Sequence, residues 1–186
     1  MFDRILEWDR ETFVYLNNLG VEKYDAFWST VTKFPPWIPL LVLFIVLFFV
    51  KRPRREAYMM IGTLLVMVLF ITTLTDLTKE VVARLRPNND AEINTIIRIL
   101  RRPSGYSFFS GHASSSFSIT TMVVLFLRDR FKWVYFFYLW PILFTLSRIY
   151  VGVHFPIDLV VGAIVGTGSA WLFYRLYLNL ILPYSR

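Results

Sequence analysis

The chain reads as an all-α integral membrane protein, a bundle of five to six transmembrane helices with an N-terminal interfacial helix. Three observations predict this. Of its 186 residues, 56% are hydrophobic, and the mean hydropathy is +0.52, which leaves more apolar surface than a soluble domain of this length can hide. The apolar residues come in runs approaching the roughly 20 residues that cross a bilayer. The charged residues gather in the stretches between those runs. One membrane-embedded domain over 1–186 accounts for the chain, with no low-complexity linker. The start, MFDRILEWDRE, is too charged for a signal-peptide apolar region. With no cysteine, disulfides, thiolate metal sites and cysteine nucleophiles are excluded.

Residues 1–19 place Phe2, Ile5, Leu6, Phe13 and Leu16 roughly on one helical face, while Asp3, Arg4, Asp9 and Arg10 interrupt any spanning run. That pattern predicts a helix lying on the membrane surface. The first span is expected over 27–50, with Pro35 and Pro36 breaking its start so that regular helix begins near Trp37. A basic loop, KRPRRE (51–56), follows. The second span is expected over 57–77, continuing as a polar helix through Lys79 toward Arg86 and ended by Pro87. In the polar segment 87–109, Ile93, Ile96, Ile97 and Leu100 have i, i+3, i+4, i+7 spacing and predict a short interfacial helix. The third span, 112–127, is rich in Ser and Thr, whose small side chains allow close packing in lipid. The loop RDRFK (128–132) leads to a fourth span at 133–147. A fifth runs over 156–174, with Pro156 suited to its first turn.

The connections 79–112 and 147–158 then fall on one side of an alternating bundle, and the two basic loops on the other. Those loops carry seven Lys/Arg in eleven residues, and Arg175 and Arg186 fall with them. The tendency of positive loops to stay inside places the connections on the outer face, although the 79–112 connection has six Lys/Arg of its own. In a membrane protein the net charge of +7 reports topology and anionic lipid rather than nucleic acid.

The polar residues on that face carry the chemistry. Lys79 and Arg86 are seven apart, close to two helical turns, and on a helix would share a face as an anion clamp. Taken alone, the pair is equally what two snorkelling side chains give. Ser110, Gly111 and His112 open span three, where free N–H groups and the positive helix end suit a phosphate. Gly111 allows close approach there, and His112 has the chemistry of a general acid. Arg148 offers a planar fork for two phosphate oxygens. His154 and Asp158 are four apart, so the carboxylate can hold one ring nitrogen and leave the other as a nucleophile. Alone, that pair is also an ordinary helix-cap arrangement. Gly162 and Gly166 continue the stripe and predict tight packing against a neighbouring helix. Asp76, one turn before Lys79, reads as an ion-pair partner. Arg98, Arg101 and Arg102 are either solvated or positioned for a substrate with several negative charges.

Taken together, KEVVARLRP (79–87), FSGH (109–112) and SRIYVGVHFPID (147–158) resemble the three motifs of the type 2 phosphatidic acid phosphatase superfamily in order and internal spacing, over residues 57 to about 175. One departure is Phe109 in place of the family's proline. The resemblance implies that His154 attacks phosphorus to form a phosphohistidine and that Asp158 orients it. It implies that His112 protonates the leaving oxygen and then activates water. Lys79, Arg86, Arg148, Ser110 and Gly111 would hold the phosphate, with no cofactor or metal. The compact chain looks like the bacterial branch that includes lipid A 1-phosphatases. The expected substrate is therefore an anionic lipid, with the lipid A 1-phosphate ahead of undecaprenyl diphosphate and phosphatidylglycerol phosphate. The expected location is a bacterial inner membrane with the site facing the periplasm. Transfer to a lipid acceptor instead of water remains open on the motifs. A bis-histidine haem protein, with His112 and His154 as axial ligands, and a non-catalytic lipid-binding protein are the competing classes.

Overall fold

A computed structural model of the chain describes residues 2–184; residues 1, 185 and 186, Arg186 among them, lie outside it. Seven α-helices follow one another among the described residues: α1 (Phe2–Asn18), α2 (Asp25–Val31), α3 (Ile38–Phe49), α4 (Arg54–Val82), α5 (Gly111–Leu127), α6 (Leu139–Tyr150) and α7 (Pro156–Leu176). By length and composition, Arg54–Asn89 and Pro156–Ile181 can each cross a membrane. A third crossing results if Glu22–Val31 and Pro35–Phe49, bent by 64°, form one span. So two or three of the expected five to six crossings meet that criterion. At 17 residues and 12 residues, α5 and α6 are shorter than a straight crossing needs, although a 3₁₀ segment, Lys132–Tyr138, leads directly into α6. The flanks of α4 expose Leu65, Val66, Leu69, Leu77 and Val81, and α7 exposes Val160, Ile164 and Trp171. Continuous apolar faces of this kind need lipid around them, and the protein is a membrane protein.

Two elements differ from the sequence expectation. α4 does not run to Pro87: it stops at Val82, and Ala83 takes a left-handed conformation with φ of 49°, which breaks the helix ladder before proline can. Lys79 and Arg86 therefore do not share a helix face. The proposed helix at 93–100 is a series of hydrogen-bonded turns. Its apolar spacing arises because Ile93 and Ile97 pack on Phe13, Ile149, Phe155 and Leu159, while Ile96 faces outward.

The N-terminal segment forms a helix, α1, but its inner face differs from the one the apolar spacing suggests. Asp9, Phe13 and Asn17, each 0% exposed, face the protein, whereas Ile5 and Leu16 are exposed. Asn17 explains part of this. Its amide donates to the carbonyls of Ile149 (2.9 Å) and Arg98 (3.1 Å), and its oxygen accepts from the Arg98 N–H at 2.7 Å.

The main core lies toward the other end, where Phe44, Phe48, Met60, Met67, Met122 and Tyr177 interlock. There the two basic loops meet: Arg130 donates to the Lys51 carbonyl at 2.6 Å, and Arg52 to the Phe126 carbonyl at 2.6 Å. The most extensive helix pairing is α5 on α7, and glycine makes it possible. A Cβ at Gly166 would stand 2.2 Å from the Ser114 carbonyl oxygen, and one at Gly162 2.8 Å from that of Ser110. Gly166→Ala is therefore expected to destabilise the fold by about 2–3 kcal/mol through forced separation of α5 and α7. Gly168→Ala, whose Cβ meets nothing within 4 Å, is the control. Thermal unfolding in detergent reads the difference.

Candidate active site

At the end of the bundle opposite the basic loops, α4 terminates, α5 begins, α6 terminates and α7 begins. This juxtaposition gathers the residues singled out from the sequence. Pro156 starts α7 with its φ already suited to helix and no N–H to leave unpaired, so the carboxylate of Asp158 falls in the first turn. Its Oδ2 accepts from the Phe155 N–H at 3.0 Å. The same oxygen lies 3.5 Å from Nδ1 of His154. The other ring nitrogen, Nε2, is 3.2 Å from Nη1 of Arg86. His154 is 2% exposed and Asp158 0%. Burial pushes the His154 imidazole down to about 4, against the opposing pull of Asp158. The ring is therefore neutral near pH 7, with an electron pair available.

Arg86 reaches the site from the extended chain after α4, held by the carbonyls of Gly105 (3.2 Å) and Val153 (3.3 Å). Arg148, near the end of α6, is 4% exposed. Its Nη1 donates to Oγ1 of Thr32, and its Nε is buried without a partner. On the helix side, a Cβ on Gly111 would lie 3.6 Å from Nζ of Lys79, so the glycine sits directly beside that cation. Lys79 in turn is 3.7 Å from Asp76, the ion pair expected. Ser110 caps α5, accepting from the Ala113 N–H at 3.4 Å, and its own N–H donates to the Asp158 carbonyl at 3.0 Å. The His112 ring packs on Phe144 with centroids 4.6 Å apart. His112 is close enough to Arg148, His154 and Lys79 for their charges to act on it, so both imidazoles lie in one region with Asp158 and these cations.

The three arginines of the 87–109 segment separate. Arg98 is committed to Asp25 at 2.6 Å, with its guanidinium 5.3 Å from the Tyr150 ring. Among the described residues Arg101 and Arg102 form no ion pair, and Arg101 is near enough for its charge to act on Arg148.

The sequence reading missed three residues. Thr32 closes α2 beside Arg148, and nothing in its surroundings announces it. Arg84, inside KEVVARLRP, donates from Nη1 to Oδ1 of Asp158 at 2.7 Å and from Nη2 to Oδ2 of Asp9 at 2.6 Å. Asp9 figured in the sequence only as one of the charges that interrupt a spanning run. Its position four residues before Phe13, on the same face, was the available signal.

Among the described residues no three His, Asp or Glu side chains converge as a metal site. His154 has Nδ1 toward a carboxylate and Nε2 toward a guanidinium, an environment suited to an anion and not to haem iron.

Residues 57–182 match the model of the PAP2 superfamily. The chain belongs to the PAP2 superfamily. A lipid A 4'-phosphatase of Porphyromonas gingivalis is 30% identical over 179 residues, covering 94% of this chain and 75% of that protein. An undecaprenyl-diphosphatase of Sulfolobus acidocaldarius is 33% identical over 137 residues, 73% of this chain and 61% of that one. A transmembrane PAP2-type phosphatidylglycerolphosphate phosphatase from Bacillus subtilis shares the fold, with a TM-score of 0.74 at 21% identity over 95% of this chain and 88% of that one. As a PAP2 protein with this site, the chain is a membrane-embedded hydrolase of the lipid-phosphate class.

Proposed function

We propose that the protein removes a phosphate from lipid A through a covalent phosphohistidine. The whole chain would act as one membrane-embedded domain in a bacterial inner membrane, with the site facing the periplasm. In this reading the bundle crosses five to six times, and α1 rests on the outer interface. The observation that carries the chemistry is the setting of His154: Nδ1 faces Asp158 and Nε2 faces the buried Arg86 guanidinium.

In the first step Nε2 of His154 attacks phosphorus, the P–O bond to the sugar breaks, and the leaving oxygen takes a proton from His112. In the second step His112 takes a proton from water, the resulting hydroxide attacks phosphorus, and the P–N bond breaks to release phosphate and free imidazole. Asp158 holds the imidazole in the tautomer that presents Nε2 and stabilises its positive charge. Arg86, Arg148 and Lys79, with Ser110 and the Gly111 N–H, stabilise charge on the equatorial oxygens as it spreads in the transition state. The cationic side chains supply this without a metal.

Support for lipid A comes from the relative that covers most of this chain and from Arg101 and Arg102, which are free to meet a second negative group on the substrate. The sequence favours the 1-phosphate, whereas that relative's name gives the 4' position. A second reading, undecaprenyl diphosphate, is favoured by the archaeal relative. The test is phosphate release in detergent with EDTA, using lipid A, undecaprenyl diphosphate, phosphatidylglycerol phosphate and phosphatidic acid. Mass analysis of the lipid A product identifies the position. The expected result is metal-independent release, fastest from lipid A. Faster release from the diphosphate would replace the substrate assignment, and phosphoryl transfer to an added lipid would replace water as the acceptor.

A further inference from the structure

A line of alternating charge runs behind the nucleophile. Asp9, on α1, is 0% exposed. Its Oδ1 accepts from the Ile157 N–H at 2.8 Å and its Oδ2 from Nη2 of Arg84 at 2.6 Å. Arg84 turns its other nitrogen, Nη1, to Oδ1 of Asp158 at 2.7 Å. Its guanidinium lies 4.1 Å from the centre of the Phe155 ring. Oδ2 of Asp158 then faces His154. Each carboxylate is fully buried, so each depends on this guanidinium and on a backbone N–H for its charge. The family match begins at residue 57, so Asp9 lies outside it.

We propose that Asp9 and Arg84 are positioning residues for His154, acting through Asp158. Arg84 fixes the rotamer of Asp158 by holding one oxygen, while the Phe155 N–H holds the other. With Arg84 alone, a full positive charge would compete with the imidazole for the carboxylate. Asp9 on the far side of the guanidinium offsets that charge, so Asp158 keeps its negative charge toward Nδ1. Helix α1 thus contributes a group to the reaction centre without touching the substrate. A simple staple holding α1 to α4 and α7 would use the same contacts, so the test must read electrostatics and not only stability.

Around His154 lie Asp158 from α7, Arg86 from the segment after α4, Arg148 from α6 and His112 from α5, with Lys79 of α4 near His112 and Arg84 and Asp9 behind Asp158. The signs for the two new members are opposite. Asp9→Asn removes a negative charge, makes the imidazolium less favourable, and moves the acid limb of kcat/KM to lower pH. Arg84→Gln removes a positive charge and moves that limb to higher pH. The ionisation of the substrate is the same for every variant and drops out of the comparison.

The inference rests on the His154 mechanism proposed above, so His154→Ala is measured beside it. The full chain in detergent is assayed for phosphate release from lipid A across about pH 3 to 8, so that the limb is bracketed on both sides, with thermal unfolding of each variant. The expected limb shifts are about half a unit down for Asp9→Asn and about one unit up for Arg84→Gln. The double variant should lie between them, and Arg84→Lys should return toward the wild-type limb. kcat is expected to fall about tenfold in Asp9→Asn, with KM within about twofold. Limbs that stay in place, or move the same way in both single variants, overturn the positioning role and leave only a staple, while the His154 mechanism stands. Release that persists in His154→Ala overturns both.

Discussion

His154→Ala is expected to lower kcat by about 10⁴-fold or more, the scale on which removal of a covalent nucleophile acts, while the protein stays folded. Retained folding follows from the local bonding. Asp158 keeps the Phe155 N–H on Oδ2 and Arg84 on Oδ1, so the substitution leaves neither carboxylate oxygen without a donor. The same variant separates covalent from direct hydrolysis. Rapid quenching of wild type with radiolabelled lipid phosphate should trap a phosphoprotein that is stable in base and labile in acid, as a P–N bond requires, and the variant should trap none. Turnover in the variant at wild-type rates would remove the nucleophile assignment. Trapped label with the opposite stability would move the covalent bond to an oxygen.

Arg148→Lys is expected to cost about 10²–10³-fold in kcat, the usual loss when one preorganised donor to a developing negative charge is removed. The charge is conserved in this substitution, so geometry alone is at issue. The guanidinium spends Nη1 on Thr32 and leaves Nε buried with no hydrogen-bond partner among the described residues. A lysine ammonium cannot do both from one planar group. Vanadate, which copies the five-coordinate phosphorus, should bind more weakly by a similar factor, because it reports binding of the transition state. Equal loss of affinity for substrate and vanadate would instead make Arg148 a ground-state contact. Thr32→Val should reproduce a smaller part of the loss, about tenfold, since it only frees the arginine to move.

Much of this was legible in the sequence, for a physical reason. A membrane chain cannot place ionisable groups freely, so each cluster at the edge of an apolar run stands out against its surroundings. His154, Asp158, Ser110, Gly111, His112 and Arg148 are read at positions where helices start or stop, and the structure brings them together there. The glycine stripe of α7 was equally visible, because a repeat of small residues has few uses other than close approach. Where the reading failed, a backbone conformation or a long-range contact decided the outcome. Ala83 is a good helix former by composition, yet its positive φ ends α4, and helical spacing then gives the wrong relation between Lys79 and Arg86. Asp9 and Asn17 look like the wet side of an amphipathic helix. They are buried because their partners, Arg84, Ile157, Ile149 and Arg98, lie about 75 to 150 residues further along; the spacing to Phe13 marks a shared face, but no local pattern names those partners.

The apolar flanks of α4 and α7 also determine how the reaction must be counted. A substrate anchored by acyl chains reaches the bundle end by lateral diffusion along these faces, which carry Leu69, Leu77 and Ile164 toward the surrounding hydrocarbon. The protein therefore experiences crowding in a sheet, not molarity in a volume. Dilution of the lipid with inert detergent at fixed bulk concentration should slow turnover, while adding buffer should not. A Michaelis constant for such a catalyst carries the unit of mole fraction.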